Sequence, residues 1–429
     1  MIGLVGSMTG PDSWRGEDAF EGADLGVHIL NSNLGRDDPP YQLVTLDDQG
    51  EASSAKELVA QLAASERTVG IVYAGPPEGL ASSEEVLAEA GIPALLCFGD
   101  LYDQRALRPH MFQVSPPYLW QARRIASYLL VDRGYRSLGL LTEESTDGKT
   151  AEESLSRALS EFSRRRRTSG ATYSDPQQIG TSISLLRRQR PRPQAIVVHG
   201  SPAVFSEVIR LLDKSGSRYR TTQAARAGSR RGGAPWRPQV IGFDLAITPF
   251  VRAAVPPGTV ASDTYARGAH YLPVPSLSAF RMAFEDWWGD EPLGWERRAF
   301  EATSMIGWAA EGAGADEDLA DQLETLRAQR FGGLDVSFDA DDHTSVEPTN
   351  MGLWAVPRPG LDVLERRNLP DSMPWVPLGR GFSTDGRRTD IAPQDWRYLF
   401  TVVPPTGGPA PPIQAARWGI TTPRSDPVH

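Results

Sequence analysis

The side chains able to carry chemistry in this chain are few and scattered. Its 429 residues hold six histidines (His28, His110, His199, His270, His343 and His429) and one cysteine, Cys97. No two histidines stand at metal-ligand spacing. One thiol can neither close a disulfide within the chain nor build a cysteine metal site. Cys97 falls in a continuous apolar run and reads as a buried, inert thiol. His199 ends another apolar run, as a structural hydrogen-bonder or as a group facing a ligand. The pairs Asp47-Asp48 and Asp341-Asp342 have the types needed for a general acid and base, but adjacent acids at strand ends more often serve as caps and turn residues. Gly3, Gly6 and Gly10 are wrongly spaced for a dinucleotide fingerprint. The chain has neither a phosphate-cradling G-x-x-x-x-G-K-[ST] loop nor a G-x-S-x-G nucleophile elbow. Nothing here assembles a catalytic set, and no metal site or cofactor is expected.

What repeats is a rhythm of elements. Apolar runs at 2–6, 43–47, 69–74 and 92–99 are each followed by a loop, and amphipathic patterns at 17–31, 54–64 and 80–90 follow the first three. Strand and helix alternating at this pace mean a parallel sheet covered by helices on both faces. Ligands bind such a sheet at the carboxyl ends of its strands. Ser54 and Glu57 have the spacing of a capping box, and Gly91 suits the left-handed position that closes a helix.

After a pause at 113–118 the alternation resumes. Helices are predicted over 119–131, 149–162, 181–188 and 203–212, with strands at 137–142, 171–173, 195–200 and 239–244. Beyond Asp244 come a strand at 259–265, helices at 276–288, 295–312 and 317–328, and strands at 334–338 and 351–356. The expected fold is α/β, with two doubly wound lobes in series and a hinged cleft between them. Ser115-Pro116-Pro117 is a natural first crossover, because its prolines hold the chain extended. Lobe 1 is expected to take residues 2–115 and 246–335, and lobe 2 residues 119–244 and 345–357. A Pro/Gly-rich C-terminal extension fills 358–429, and its Trp375, Phe382, Trp396, Tyr398, Phe400 and Trp418 suggest partial packing on the lobes. The stretch 215–239 has six arginines and no acid, and reads as a solvated insertion or a basic binding loop. Arg164–Arg167 reads as a solvated charge run closing a helix.

A net charge of −10 disfavours nucleic acid as a partner. No stretch approaches the ~20 apolar residues of a membrane span. No signal-peptide pattern precedes Ile2, so the chain is expected to be cytoplasmic if its start is genuine.

Several residues, in order, carry a resemblance. They are Leu4-Val5-Gly6-Ser7-Met8-Thr9-Gly10-Pro11, Trp14, Gly16, Phe20-Glu21-Gly22-Ala23 and Asn31, then Asp47-Asp48 and Ala55. Ala90-Gly91-Ile92-Pro93, Phe112-Gln113-Val114-Ser115, Gly148, Phe205 and Met351-Gly352-Leu353-Trp354 continue the series. This set resembles the leucine/isoleucine/valine-binding proteins, which are type I periplasmic solute-binding proteins of ABC transporters. The resemblance implies two Rossmann-like lobes joined by three crossovers, with a small ligand, typically an amino acid, trapped between them.

It also implies site residues. In that family the loop after strand three gives hydroxyl and N–H donors to the ligand carboxylate at a helix N-terminus. The equivalent stretch here, Gly75-Pro76-Pro77-Glu78-Gly79-Leu80, has no serine or threonine, and its two prolines lack N–H groups. The loop after strand four, Phe98-Gly99-Asp100-Leu101-Tyr102, carries an acid where the family has a small residue. Family tyrosines correspond to Asp147 and to Ser201 or Pro202, and the acid that holds the ligand ammonium corresponds to Asp244. Arg15 takes the place of an aromatic over the ligand, with Trp14 beside it. The expected ligand-binding residues are Trp14, Glu78, Gly79, Asp100, Tyr102, Asp147, Ser201 and Asp244. Their acids suit an amine or amide ligand, with helix capping as the plainer reading for some, Asp147 among them. A pocket that no longer binds a free solute is a further alternative. The expected partners are a small amino-acid-like, amine or amide ligand and an ABC permease, which places the protein outside the cytoplasm. The alternative is the sensing domain of a cytosolic or receptor-linked regulator.

Overall fold

The computed structural model describes residues 1–355 and 376–377, apart from 11, 35–39, 102–107, 163–165, 217–235, 245–259, 265–277, 290–291, 293–294, 315–317, 332–333 and 347–350. The chain divides into two compact units. One comprises Met1–Pro117 and Thr264–Asn350, the other Tyr118–Asp263 and the described part of Met351–Ala392.

Unit 1 is built on a sheet of β1 (Ile2–Gly6), β2 (Leu43–Asp47), β3 (Gly70–Ala74), β4 (Ala94–Leu96) and β5 (Met111–Gln113), in the order β2-β1-β3-β4-β5. Each neighbouring pair is parallel. β1, β3, β4 and β5 are buried throughout, whereas the edge strand β2 is half-buried. That is why the inner strands read as unbroken apolar runs. Helices α1 (Ser13–Leu34), α2 (Ala52–Ala63), α3 (Pro77–Ala81) and α4 (Glu84–Ala90) follow the first three strands. One continuous helix was expected over 80–90; two short ones form, parted at Ser82-Ser83. Gly91 does close α4 in the left-handed conformation, at φ 63°.

The capping box expected at Ser54 does not form. α2 begins two residues earlier, with Glu51 as its N-cap. The preceding turn decides this: Gln49 and Gly50 are left-handed, and Asp48 accepts the Gly50 N–H at 2.8 Å. Asp47 and Asp48 are therefore turn residues, as their adjacency suggests.

α1 lies directly against a later helix of the same unit, α10 (Glu296–Gly312, following α9 at Ser278–Trp288 and preceding α11 at Leu319–Glu324). The approach is close enough to need glycine. A Cβ on Gly22 would stand 1.8 Å from the Glu296 carbonyl oxygen, and one on Gly26 2.8 Å from Thr303. Leu25, Phe280, Phe284 and Phe300 fill the space between α1, α9 and α10. The small hairpin β11 (Gln329–Phe331) and β12 (Leu334–Val336) is antiparallel.

Unit 2 has a second sheet. Its strands are β6 (Ser137–Glu143), β7 (Arg167–Tyr173), β8 (Ala195–Val198), β9 (Gln239–Gly242), β10 (Val260–Thr264), β13 (Met351–Ala355) and β14 (Val376–Pro377), in the order β14-β13-β10-β9-β8-β6-β7. Parallel pairing runs from β7 through β6, β8 and β9 to β10, while β14 is antiparallel to β13. Helices α5 (Tyr118–Ser127), α6 (Thr146–Phe162), α7 (Ile179–Arg188) and α8 (Pro202–Gly216) cover it. β7 is longer than the strand expected at 171–173, and Arg167 from the arginine run is its first residue. The strand expected at 259–265 was placed with lobe 1, but β10 pairs with β9 in unit 2, Val260 opposite Ile241. Hydrogen-bonding register, which the sequence does not display, puts it there. Ser345 also differs from its expected lobe: its N–H donates to the Gln113 carbonyl, beside β5 of unit 1. Most of the 215–239 insertion and nearly all of 358–429 lie outside the described residues.

His110 clasps unit 1 at the head of β5. Its Nδ1 is 3.1 Å from Glu84 Oε1 on α4, and its Nε2 is 2.8 Å from Asp318 Oδ2, the N-cap of α11. The hydrogen bond to Glu84, aided by Asp318 and opposed by burial, raises its pKa from the ordinary 6.5 to about 9. The raised value means that protonation stabilises the fold. The contribution is complete below the ordinary pKa and is lost as the pH rises through about 9. His110→Asn should therefore lower the melting temperature near neutral pH, and the gap to the parent should close on going to about pH 10; differential scanning calorimetry across that range checks this. Gly22→Ala should destabilise unit 1 by about 1–3 kcal/mol, the range for overpacking, measured by the urea midpoint. An unchanged midpoint would mean that α1 and α10 can move apart freely.

Candidate ligand-binding site

The carboxyl ends of the unit 1 strands carry a chain of polar groups that bind one another. Ser7, after β1, donates its hydroxyl to Asp48 Oδ1 at 2.8 Å. Asp47, at the end of β2, accepts the Thr9 hydroxyl at 2.6 Å and the Met8, Thr9 and Gln49 N–H groups. Burial is the largest single effect and works against the Asp47 charge, but those four bonds together hold its carboxyl below the usual range. Asp48 is fully buried, and burial raises its pKa despite the Gly50 and Ser7 bonds.

The loop after β3 is closed on itself. Tyr73 donates its hydroxyl to the Pro76 carbonyl at 2.7 Å, and the Gly79 N–H goes to the same oxygen at 2.9 Å. Pro76 is the N-cap of α3 and Pro77 its first residue. Gly79 is buried, and a Cβ there would meet the Tyr73 oxygen at 2.5 Å. Gly79 is among the residues expected to bind the ligand; its N–H is used within the loop. Glu78 is half-buried in the first turn of α3.

The Trp14 ring packs at 4.5 Å on Trp295 and edge-on at 5.5 Å on Phe98, the residue that follows Cys97 after β4. Arg15 lies over Trp14 at 5.4 Å and Arg298 over Phe98 at 5.8 Å. Arg298 also donates to the Cys97 carbonyl at 3.3 Å. Behind it, fully buried Glu301 pairs with Arg297. Burial pushes the Glu301 carboxyl up to about 7, against the pull of Arg297 and Arg298. Asp18 is pushed up to about 9 by burial, with Glu296, Glu21 and Glu17 adding repulsion. Asp100 is buried after Gly99, whose φ is 88°. Tyr102 lies outside the described residues. Cys97 is buried, as its apolar surroundings predict, and burial raises its thiol to about 12.

Unit 2 gathers its candidates at the ends of β6, β8 and β9. Asp147 lies in the first turn of α6, where its Oδ2 accepts the Tyr118 hydroxyl at 2.8 Å. Asp147 is not the helix cap; Ser145 Oγ accepts the Gly148 N–H at 3.0 Å. His199, after β8, is buried, with Nε2 3.7 Å from Asp147 Oδ2. Tyr118, His199 and Phe243 form three edge-on ring pairs with centroids 4.9–5.5 Å apart. Tyr173 donates its hydroxyl to the His199 carbonyl at 3.1 Å. Asp244 is buried, and its N–H donates to Gln121 Oε1 of α5 at 2.9 Å. Ser201 caps α8, accepting the Val204 N–H at 3.4 Å.

In unit 2, then, Asp147, Ser201 and Asp244 follow neighbouring strands at one edge of the sheet, where Asp147 meets Tyr118 and His199 and these two rings meet Phe243. In unit 1, Trp14 joins the loop after β4, while Gly79 is structural. The sequence reading missed Tyr118, Gln121, Trp295, Arg298 and Glu301. A weak signal existed for Tyr118, which directly follows Pro116-Pro117. None existed for Arg298, since a charged helix start reads as solvated. Among the described residues no group of His, Cys, Asp or Glu is placed to hold a metal ion, and no helix is long and apolar enough to cross a membrane.

A family model described as periplasmic binding protein matches residues 1–355. A comparison with curated proteins gives no match. Among solved structures, the chain is similar to a possible leucine/isoleucine/valine-binding protein from Rhodopirellula baltica SH 1, with 15% identity, a TM-score of 0.67, and 83% of this chain and 93% of that chain covered. It is also similar to the branched-chain amino acid transporter substrate binding protein LivJ from Streptococcus pneumoniae in complex with isoleucine, with 17% identity, a TM-score of 0.64, and 83% and 95% covered. A third is a solute binding protein of an ABC transporter from Rhodopseudomonas palustris BisB5 in complex with 3,4-dihydroxybenzoic acid, with 14% identity, a TM-score of 0.64, and 88% and 94% covered. At these identities the structural likeness establishes the fold alone. The match of the family model over most of the length goes further: this chain belongs to the periplasmic binding protein family.

Proposed function

We propose that this protein binds a small solute without chemically changing it, and presents it to the permease of an ABC transporter outside the cytoplasm. The family membership supports the binding role. The mechanism we infer is a population shift: the ligand favours a closed state over an open, wet one by its differential affinity for the two.

The ligand class we infer is an amine or amide rather than a free α-amino acid. The loop after β3 carries this reading. An anion at a helix N-terminus is held by free N–H donors. Here Pro76 and Pro77 have none, the Gly79 N–H is committed to Pro76, and Glu78 adds an acid. Isoleucine and 3,4-dihydroxybenzoic acid, bound by two of the structural neighbours, each carry a carboxylate. The loop after β3 of this chain offers little to such a group. In unit 2, Asp147 and Asp244 offer negative charge to an amino group. A charge-assisted hydrogen bond of this kind is roughly twice as strong as a neutral one.

Calorimetry with leucinamide, 3-methylbutylamine and leucine tests the reading. The amide and the amine should bind more tightly than leucine. Asp244→Asn should weaken leucinamide by about 1.5–3 kcal/mol, the range for a hydrogen bond to a charged group. Tight leucine binding that survives Asp244→Asn would sink the ligand class and leave the binding role standing.

A further inference from the structure

The geometry points to Tyr118 as a positioning residue that fixes Asp147 as the anion selecting a ligand amino group. The inference rests on the amine reading above and adds to it the residue that makes one acid of unit 2 selective.

Three observations carry it. First, the Tyr118 hydroxyl donates to Asp147 Oδ2 at 2.8 Å, and both residues are buried. A hydrogen bond to the ionised form favours that form, so the phenol offsets part of the desolvation that burial imposes on the carboxylate. Second, the phenol itself is immobilised. Its ring is met edge-on by His199 at 4.9 Å and by Phe243 at 5.5 Å. Its backbone begins α5 directly after Pro116 and Pro117, which restrict the chain on the N-terminal side. Third, Asp147 stands in the first turn of α6, where the helix dipole also favours a negative charge. Titratable side chains face it from α5 (Tyr118) and from the loop after β8 (His199, Nε2 at 3.7 Å). The result is a carboxylate whose Oδ2 is tied in a set direction. A ligand cation meeting it finds a formed acceptor and loses little free energy in orienting it.

Tyr118→Phe keeps the ring packing and removes only the hydroxyl. The full chain is titrated calorimetrically with leucinamide and with 4-methylpentanamide, the same molecule without its amino group. The variant should bind leucinamide five- to tenfold more weakly and 4-methylpentanamide unchanged. In an Asp147→Asn background the same substitution should have no further effect, because the two residues act as one unit. Equal losses for both probes, or an undiminished loss in the Asp147→Asn background, would overturn the proposal. A second measurement needs no ligand: the Asp147 carboxyl carbon is followed by NMR through an acid titration. Its midpoint should move upward by about one pH unit in Tyr118→Phe. An unmoved midpoint overturns the role of Tyr118. If the midpoint moves but leucinamide fails to bind the parent protein, the amine reading falls, and with it the assignment of Asp147 to a ligand amino group.

Discussion

Strand register is the constraint on which the rest of this structure depends. In unit 1, Gly6 stands opposite Asp47 on one side and Ala74 on the other, so β1, β2 and β3 end level. In unit 2, Leu141 is level with Ala171 and Val198, and Val198 with Gly242. Parallel strands that end level deliver their following loops to one edge. That is why Ser7, Asp48 and the Gly75 loop meet in unit 1, although more than forty residues separate Ser7 from Asp48. It is also why Asp147, His199 and Phe243 meet in unit 2. A shift of one residue in any pairing would turn each side chain of that strand to the opposite face and scatter these groups.

Close helix packing sustains that arrangement. α1 and α10 approach at Gly22 and Gly26, which brings Trp295, Arg298 and Glu301 beside the loop after β4. Three carboxyls of unit 1 (Asp18, Asp48 and Glu301) are buried deeply enough that their pKa values rise. A buried charge is costly unless it is paired and hydrogen-bonded. The chain meets this cost differently at each: Glu301 has Arg297, Asp48 has the Ser7 hydroxyl and the Gly50 N–H, and at Asp18 burial and the nearby Glu296 favour the neutral form. The guanidinium groups of Arg15 and Arg298 lie over the Trp14 and Phe98 rings, and their charges lower the Asp48 and Glu301 pKa values against the effect of burial.

The contrast between the two units is chemical. The strand-end loops of unit 1 spend their donors on one another, most plainly in the Tyr73–Pro76–Gly79 knot. Unit 2 instead assembles acids and rings from four separated segments, with Gln121 receiving the Asp244 N–H and Tyr118 serving Asp147. Binding specificity in such a molecule follows from which polar groups are already satisfied. A donor used inside its own loop adds nothing to ligand affinity, whereas an acceptor held in place by a neighbour can add a great deal.

The sequence by itself determined the elements and their alternation, because periodicity and punctuation are local properties. Buried strands show as apolar runs, Gly91 marks the end of α4, and Asp47-Asp48 marks a turn. It also determined that two residues of the loop after β3 bring no N–H donor, since a proline has none in any fold. It misjudged the start of α2, where a left-handed turn at Gln49-Gly50 overrode the Ser54 signal, and the sheet to which β10 belongs. Only the tertiary structure decided which polar residues are buried and what they meet. Arg298 reads as a solvated charge until α10 packs against α1. Tyr118 reads as the end of the pause before a helix until β6 and β8 bring Asp147 and His199 to it. Such pairings join residues distant along the chain, and they are fixed by register and packing, which no local pattern encodes.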